Sequence, residues 1–415
     1  MTVKKTLSYI KKNGLKKTAM RFLFHKPVQA ITLKEVNVEK PFLAGASESF
    51  KTNPQFSIIV PLYNTSLPFL KAMIDSVIKQ TYPYWQLCLA DGSDQAHPEV
   101  GALCQQYSLN DRRIVYQKLC KNEGIASNSN AAAAMATGDY LALLDHDDFY
   151  TEDALLCLAR AVERHEPDVL YSDEGKATKN GQKTRRPFYK PDWSPDLIYS
   201  QMYVGHLLAF RRELFWSVGG FDKDFSGSQD YDLLLRLSER TTRIFHISKV
   251  LYFWREADTS TASDPNQKPY AHLAGLKALD RHLKLKYDGI AFAEESEYPY
   301  VYRARFSTLR DTPKISILLL AHSEDKAEMS MTAIRENTHY KNYELFPIQS
   351  ETTSQNESYE SLGFKVIRDC INKIEGEIAV LIDEGLFPEN GEWLELLSEN
   401  ALRKETGAVG PLVLT

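Results

Sequence analysis

The sequence predicts an α/β protein built on a mostly parallel sheet, with a second, partial copy of the same unit behind it. Three observations carry this. Short apolar runs alternate with helical patterns from residue 54 to about 290. Two of those runs end in an aspartate, Asp91 and Asp145, at the carboxyl ends of strands where such sheets bind ligands. The same order of runs restarts at Ile315.

Each element has its own warrant. Phe56–Val60 is continuously apolar and stops at Pro61. Leu67–Lys79 carries apolar residues at helical spacing. Trp85–Ala90 is a second apolar strand, ending at Asp91. Ile114–Gln117 is a short third strand, and Ile125–Ala136 is an alanine-rich helix. Tyr140–Leu144 is a fourth strand, ending at Asp145. Strands apolar on both faces and joined by helices belong to a parallel sheet. Residues 54–290 are thus one unit, and 291–312 read as a connector. Ile315–Leu320, the helical Met329–Thr338, Tyr343–Pro347, Val366–Arg368 and Ile378–Ile382 repeat the opening order within 313–415. That span is too short for a full copy, so the duplication is partial.

Composition narrows the class. The 415 residues are 43% hydrophobic and 25% charged, which is ordinary for a globular chain. No apolar run approaches the ~20 residues of a membrane-spanning helix, and the N-terminus lacks a signal-peptide pattern. Five widely spaced cysteines without a Cys-x-x-Cys give neither a zinc signature nor a disulfide framework, which fits a reducing cytoplasm. Residues 1–34 hold nine Lys/Arg and no acidic residue. With a net charge of −5 overall, the rest of the chain carries −14. An acidic body argues against nucleic acid as a partner. In the head, Val3, Leu7, Ile10, Leu15, Ala19, Phe22 and Leu23 form an apolar stripe beside the lysines. This fits either an interfacial helix on anionic lipid or a terminal helix packed on the body. Residues 35–53 read as a linker. The expected location is the cytoplasm, peripheral on the inner face of the membrane.

The motifs with chemistry sit at strand ends. Asp145-His146-Asp147-Asp148 puts three carboxylates in four residues, where they repel one another. A hard divalent cation, Mn²⁺ or Mg²⁺, relieves this, held by Asp145 and Asp147 with substrate phosphate oxygens. Asp148 reads as a cap of the helix beginning near Thr151. Asp91 can accept a hydrogen bond from the N3–H of uracil or thymine, although Asp-Gly is also a common turn. Pro61-Leu62-Tyr63-Asn64 follows the first strand, and Tyr63 can flank a base. Asn122-Glu123-Gly124 opens a helix containing Asn128, whose amides can face a nucleotide. Asp230, after Gln229, is a candidate general base at a helix start, and Asp232 competes with it. Arg255, followed by Thr259-Ser260-Thr261, can clasp a diphosphate. Lys190-Pro191-Asp192-Trp193 and Gly205-His206 are acceptor-side candidates, Trp193 being equally readable as a structural residue.

Taken in order, Pro61-Leu62-Tyr63-Asn64, Asp91-Gly92-Ser93-Asp94, Asn122-Glu123-Gly124, Asp145-His146-Asp147-Asp148, Gly219-Gly220-Phe221-Asp222 and Gln229-Asp230-Tyr231-Asp232 resemble family 2 glycosyltransferases of the GT-A fold. That fold is a Rossmann-like, mostly parallel sheet binding nucleotide-diphospho-sugars. Lys190–Trp193, Tyr252–Arg255 and Ser260–Ala262 are similar to bacterial O-antigen, rhamnan and capsule enzymes. The resemblance implies that Asp91 contacts a pyrimidine, and that Asp145 and Asp147 serve ribose and metal. It also implies that Asp230 deprotonates an acceptor hydroxyl in an inverting displacement. Pro61, Tyr63, Asn64, Asn122, Gly124, Asn128, Arg255 and Ser260 then belong to the UDP- or dTDP-sugar site. Trp193, His206, Gly220 and Gln229 face a lipid- or protein-linked glycan acceptor. In 313–415, Asp383-Glu384-Gly385 replaces the Asp-x-Asp pair, which implies a non-catalytic module serving dimerisation or docking. Two other classes fit the residues alone: a nucleotidyltransferase making nucleotide sugars, and a non-catalytic glycan-binding scaffold.

Overall fold

A computed structural model describes residues 50–178, 181, 184–255, 269–307, 312–321, 323–349, 374–406 and 409. The basic head 1–34, most of the linker, Ser260 with its hydroxyl run, and the strand expected at Val366–Arg368 lie outside the described residues. The chain divides into two compact units, one of residues 50–315 with 375–377, the other from Ser316 onward without those three.

In the first unit, β1 (Phe56–Leu62) lies between β2 (Trp85–Asp91) and β4 (Tyr140–Leu143), and β3 (Ile114–Lys118) flanks β2, all parallel. Pro61 is tolerated in this central strand because the β4 ladder ends two residues earlier, at Ile59 and Leu143. Beyond β4 the sheet becomes mixed. β8 (Leu208–Arg211) runs antiparallel to both β4 and β6 (Val169–Ala177), and β9 (Ile244–Arg255) is parallel to β6. The short β5 (Phe149–Tyr150) and β7 (Thr184–Phe188) pair antiparallel to β9 and β6. The order is β3-β2-β1-β4-β8-β6-β9-β5, with β7 beside β6.

Both faces of this sheet are covered, which is why its central strands β1, β2 and β4 are mostly apolar. Ile58 and Val60 of β1 join one core with α1 (Leu67–Ile78), α2 (Pro98–Asn110) and α4 (Ala154–His165). Ile59 joins the other with α3 (Ile125–Ala134), α5 (Pro195–Ser200), α6 (Arg212–Ser217), α7 (Gln229–Ser238) and α8 (Pro269–Lys286). Two expectations need correction. Helix α4 begins at Ala154 after Asp153, so Asp148 is not its cap. Nor are residues 291–312 a mere connector. β10 (Ala291–Glu295) and β11 (Tyr302–Phe306) form a hairpin whose Ala291, Tyr302 and Phe306 are buried in the second core.

The second unit holds β12 (Ile315–Ala321), α9 (Glu324–Glu336), β13 (Tyr343–Gln349), β14 (Ile378–Asp383) and α10 (Trp393–Ala401). Its strand order, β13-β12-β14, repeats the β2-β1-β4 order of the first unit. The acidic turn after β14 is used differently. Glu384 accepts from the backbone N–H of Ser323 at the start of α9 and faces Lys326, while the Gly385 N–H donates to Ser330.

Candidate active site

The loop after β4 is held by β9. Asp148 is fully buried. Its Oδ2 accepts from the Tyr252 hydroxyl at 2.6 Å and its Oδ1 from the Arg255 backbone N–H at 2.7 Å. The same hydroxyl accepts from the Asp145 N–H at 3.3 Å. β5 pairs with β9 through Phe149–Phe253 and Tyr150–Tyr252, which brings the two segments together. The Asp145 side chain remains 41% exposed. Burial raises the pKa of Asp147, with Asp145 adding to it and His146 opposing. Burial and the charges of Asp145 and Asp147 push Asp148 well above the carboxylate range. Crowded carboxylates that raise one another's pKa form a site short of positive charge, which suits a hard cation held partly by substrate oxygens. Among the described residues, no three His, Cys, Asp or Glu side chains close into a complete metal cage.

Arg255 departs from the expected diphosphate clasp. It is buried, its Nε donates to the Asp147 carbonyl at 2.6 Å, and its guanidinium lies over the rings of Phe69 and Phe149. Two aromatic faces and a backbone acceptor turn it toward the loop, so it fixes the carboxylate turn.

The expected nucleotide residues converge at the ends of β1 and β2. The Asn64 N–H donates to Ser93 Oγ at 2.9 Å, and the Asn64 amide exchanges two hydrogen bonds with Asp94. Tyr63 beside it is 46% exposed. The Asp91 carboxylate is sealed from solvent and accepts from the Ser93 N–H, Tyr116 and Lys118. Burial raises its pKa, but these donors outweigh that and hold it below the usual value. With the Ser93 hydroxyl as a further donor, the roughly four acceptor positions of the carboxylate are filled. Gly92 allows close packing, since a Cβ there would lie 2.7 Å from Asn128 Nδ2. Asn122 Oδ1 accepts from the Gly124 N–H and from Asn128 Nδ2, both at 3.0 Å. Asn128 is 2% exposed, and its Oδ1 is buried without a partner.

On the other side of Asp145 stands His206, with Nε2 3.8 Å from Asp145 Oδ2. Its ring stacks on Tyr252 at 4.7 Å and meets the edge of Trp254. Asp230 is within electrostatic reach. Burial raises its pKa, His206 draws it down and Asp145 adds to the rise. Asp232 is excluded as the competing base, being fully buried and paired with Arg236 and Arg281. Gln229 Oε1 accepts from the Gly227 N–H and shapes the turn into α7. Gly220, at φ 71°, lines an open groove of about 470 Å³ with Ser127, Asn130, Asp222 and Arg281.

Of the expected acceptor-side segment Lys190-Pro191-Asp192-Trp193, Lys190 alone is buried, Pro191 and Asp192 being exposed and Trp193 partly so. Lys190 is buried under the 204–206 loop, and the Pro191 carbonyl accepts from Tyr171. Asp192 faces His246, and Trp193 packs partly buried against Tyr203. Sequence reasoning missed Glu174 and Lys118, and it named Tyr252 in the Tyr252–Arg255 motif without its role. Each acts on a partner outside its own segment.

Residues 57–219 match the family described as Glycosyl transferase family 2. An uncharacterized protein of Sinorhizobium fredii, y4gI, is 34% identical over 385 residues, covering 87% of this chain and 42% of the relative. The O-antigen biosynthesis protein RfbC of Myxococcus xanthus is 30% identical over 377 residues, covering 86% and 29%. The chain thus spans less than half the length of these relatives. A crystal structure of Staphylococcus aureus TarS residues 1–349 with UDP-GlcNAc shares 20% identity and a TM-score of 0.45, over 55% of this chain and 66% of that one.

Proposed function

Because residues 57–219 of this chain form a glycosyl transferase family 2 domain, we propose that it moves a sugar from a UDP- or dTDP-sugar to a glycan acceptor, inverting the anomeric centre. The product belongs to bacterial surface polysaccharide or glycoconjugate synthesis, a reading supported by the O-antigen relative. The observation that carries the reaction is the grouping of half-open Asp145, His206 and Asp230 in one electrostatic neighbourhood.

The roles follow from the side chains. The unpartnered Asn128 Oδ1 suits an N–H or hydroxyl group of a pyrimidine nucleoside, and Asp91 would meet the base by giving up one of its present donors. Tyr63 covers the base. Asp145 and Asp147 would hold Mn²⁺ or Mg²⁺, which supplies charge neutralisation for the leaving diphosphate when bound. Arg255 and Tyr252 keep those carboxylates in place. Asp230 removes the acceptor proton as the hydroxyl oxygen attacks the anomeric carbon. Burial raises its pKa, which strengthens its ionised form as a base. The groove beside Gly220 offers a path for the acceptor glycan. Residues 1–34 supply a foothold on anionic lipid, and residues 313–415 serve docking or dimerisation.

The test is incubation with a panel of nucleotide sugars and polysaccharide fragments, followed by product NMR. Transfer with inverted configuration is expected, abolished by Asp147→Ala and by Asp230→Asn. Conversion of a nucleoside triphosphate and a sugar phosphate to a nucleotide sugar and free pyrophosphate would instead establish a nucleotidyltransferase. Glycan binding with no turnover would establish a scaffold.

A further inference from the structure

The Lys190 ammonium, with a fully buried side chain, has no place in the reaction as drawn. Its Nζ donates to the carbonyls of Ser172 (2.7 Å), Val204 (2.5 Å) and His206 (2.5 Å), and reaches Glu174 Oε2 at 3.2 Å. The same Glu174 oxygen accepts from the His206 backbone N–H at 2.8 Å. Both polar groups of the His206 main chain therefore end on one buried ion pair. Glu174 is aimed there by register shifts between β6 and β9 on either side of Asp173. Gly205, at φ 46°, completes the fit, since a Cβ would stand 2.7 Å from Glu174 Oε2.

A cation this deep is costly, and removing its partner leaves an unpaired buried charge. An apolar side chain of the same volume would leave three carbonyls and the Glu174 carboxylate without their donor. Besides the Ser172 and Val204 carbonyls, Lys190 and Glu174 take up both main-chain polar groups of His206, whose ring lies 3.8 Å from Asp145 Oδ2 and acts electrostatically on Asp230. We propose that Lys190 and Glu174 are positioning residues that act through His206, holding its imidazole at the junction of donor and acceptor. This rests on the glycosyltransferase reading above. Misplacing a site group by about 1 Å costs on the order of 10²-fold in rate, so the expected loss appears in kcat, while the nucleotide loops on β1 and β2 are untouched.

The experiment is a double-mutant cycle in the full chain, measuring donor-dependent transfer and UDP affinity by calorimetry. Lys190→Met and His206→Ala are each expected to lower kcat by on the order of 10–10²-fold, with UDP affinity unchanged. The double variant is expected to be no slower than the worse single one, because residues acting as a unit are not additive. Where Lys190→Met does not fold, Glu174→Gln, nearly isosteric but uncharged, takes its place in the cycle with the same expectation. Losses that multiply, or a Lys190 loss unchanged in the His206→Ala background, overturn the proposal and leave the glycosyltransferase reading intact. Full activity in Asp230→Asn, measured alongside, overturns that reading and the proposal with it.

Discussion

Replacing Tyr252 by Phe removes one oxygen atom from the centre of the site. The ring is fully buried and loses no packing. What goes is the 2.6 Å bond to Asp148 Oδ2 and the 3.3 Å bond from the Asp145 N–H. A hydrogen bond to an ionised group contributes about 1.5–3 kcal/mol, and stranding a buried acceptor costs about 1–3 kcal/mol. Burial and two neighbouring carboxylates favour protonation of Asp148, which weakens the bond and sets the expectation at the lower part, about 2 kcal/mol. In a domain of this size that is a fall in Tm of roughly 4–8 °C. Thermal unfolding followed by circular dichroism reads it. Transfer should also slow, because the Asp145 main chain loses its anchor. Unchanged Tm and unchanged turnover would refute the argument that β9 holds the carboxylate loop through this hydroxyl.

Other outcomes follow from the same geometry. Asp230→Asn should lower kcat by on the order of 10²–10⁴-fold with UDP affinity unchanged, the range for losing a general base; rate assays beside calorimetry check it. Gly92→Ala should weaken UDP binding measured by calorimetry, because its Cβ meets Asn128 Nδ2 at 2.7 Å and displaces the nucleotide loop. Asp168 is held below the usual carboxylate value, its burial outweighed by hydrogen bonds from Arg243 and Thr241. A lowered folded pKa gives stability that is present at neutral pH and lost as pH falls through that pKa. Asp168→Asn should therefore lower Tm at pH 7 and flatten its decline below about pH 4; a parallel decline in both proteins would count against the ion pair.

Much of the first unit could be read in the sequence because its strands are buried on both faces. Phe56–Leu62 and Trp85–Asp91 are mostly apolar, broken by the mutually bonded Ser57 and Gln86, and Asp91 and Asp145 stand where such runs end. The repeat at Ile315 was legible for the same reason. The mixed half of the sheet was not. β8 and β9 find their neighbours by tertiary pairing, and nothing local in Leu208–Arg211 says that it runs antiparallel to β4. The β10–β11 hairpin mixes apolar residues with Glu294, Glu295, Arg303 and Arg305, so no unbroken apolar run marks it in the sequence. Arg255 shows a different limit. Its residue type fits a diphosphate, but Phe69 and Phe149, remote in sequence, turn it inward. Asp148 was read as a helix cap because its partner Tyr252 is 104 residues away.

Calorimetric titration of the full chain with UDP, dTDP and GDP, with and without Mn²⁺, tests the central claim most directly. The account predicts that UDP or dTDP binds more tightly than GDP, that Mn²⁺ strengthens the binding, and that Asp147→Ala removes the effect of the metal alone. Tightest binding of GDP, or pyrimidine binding indifferent to Mn²⁺, would contradict it.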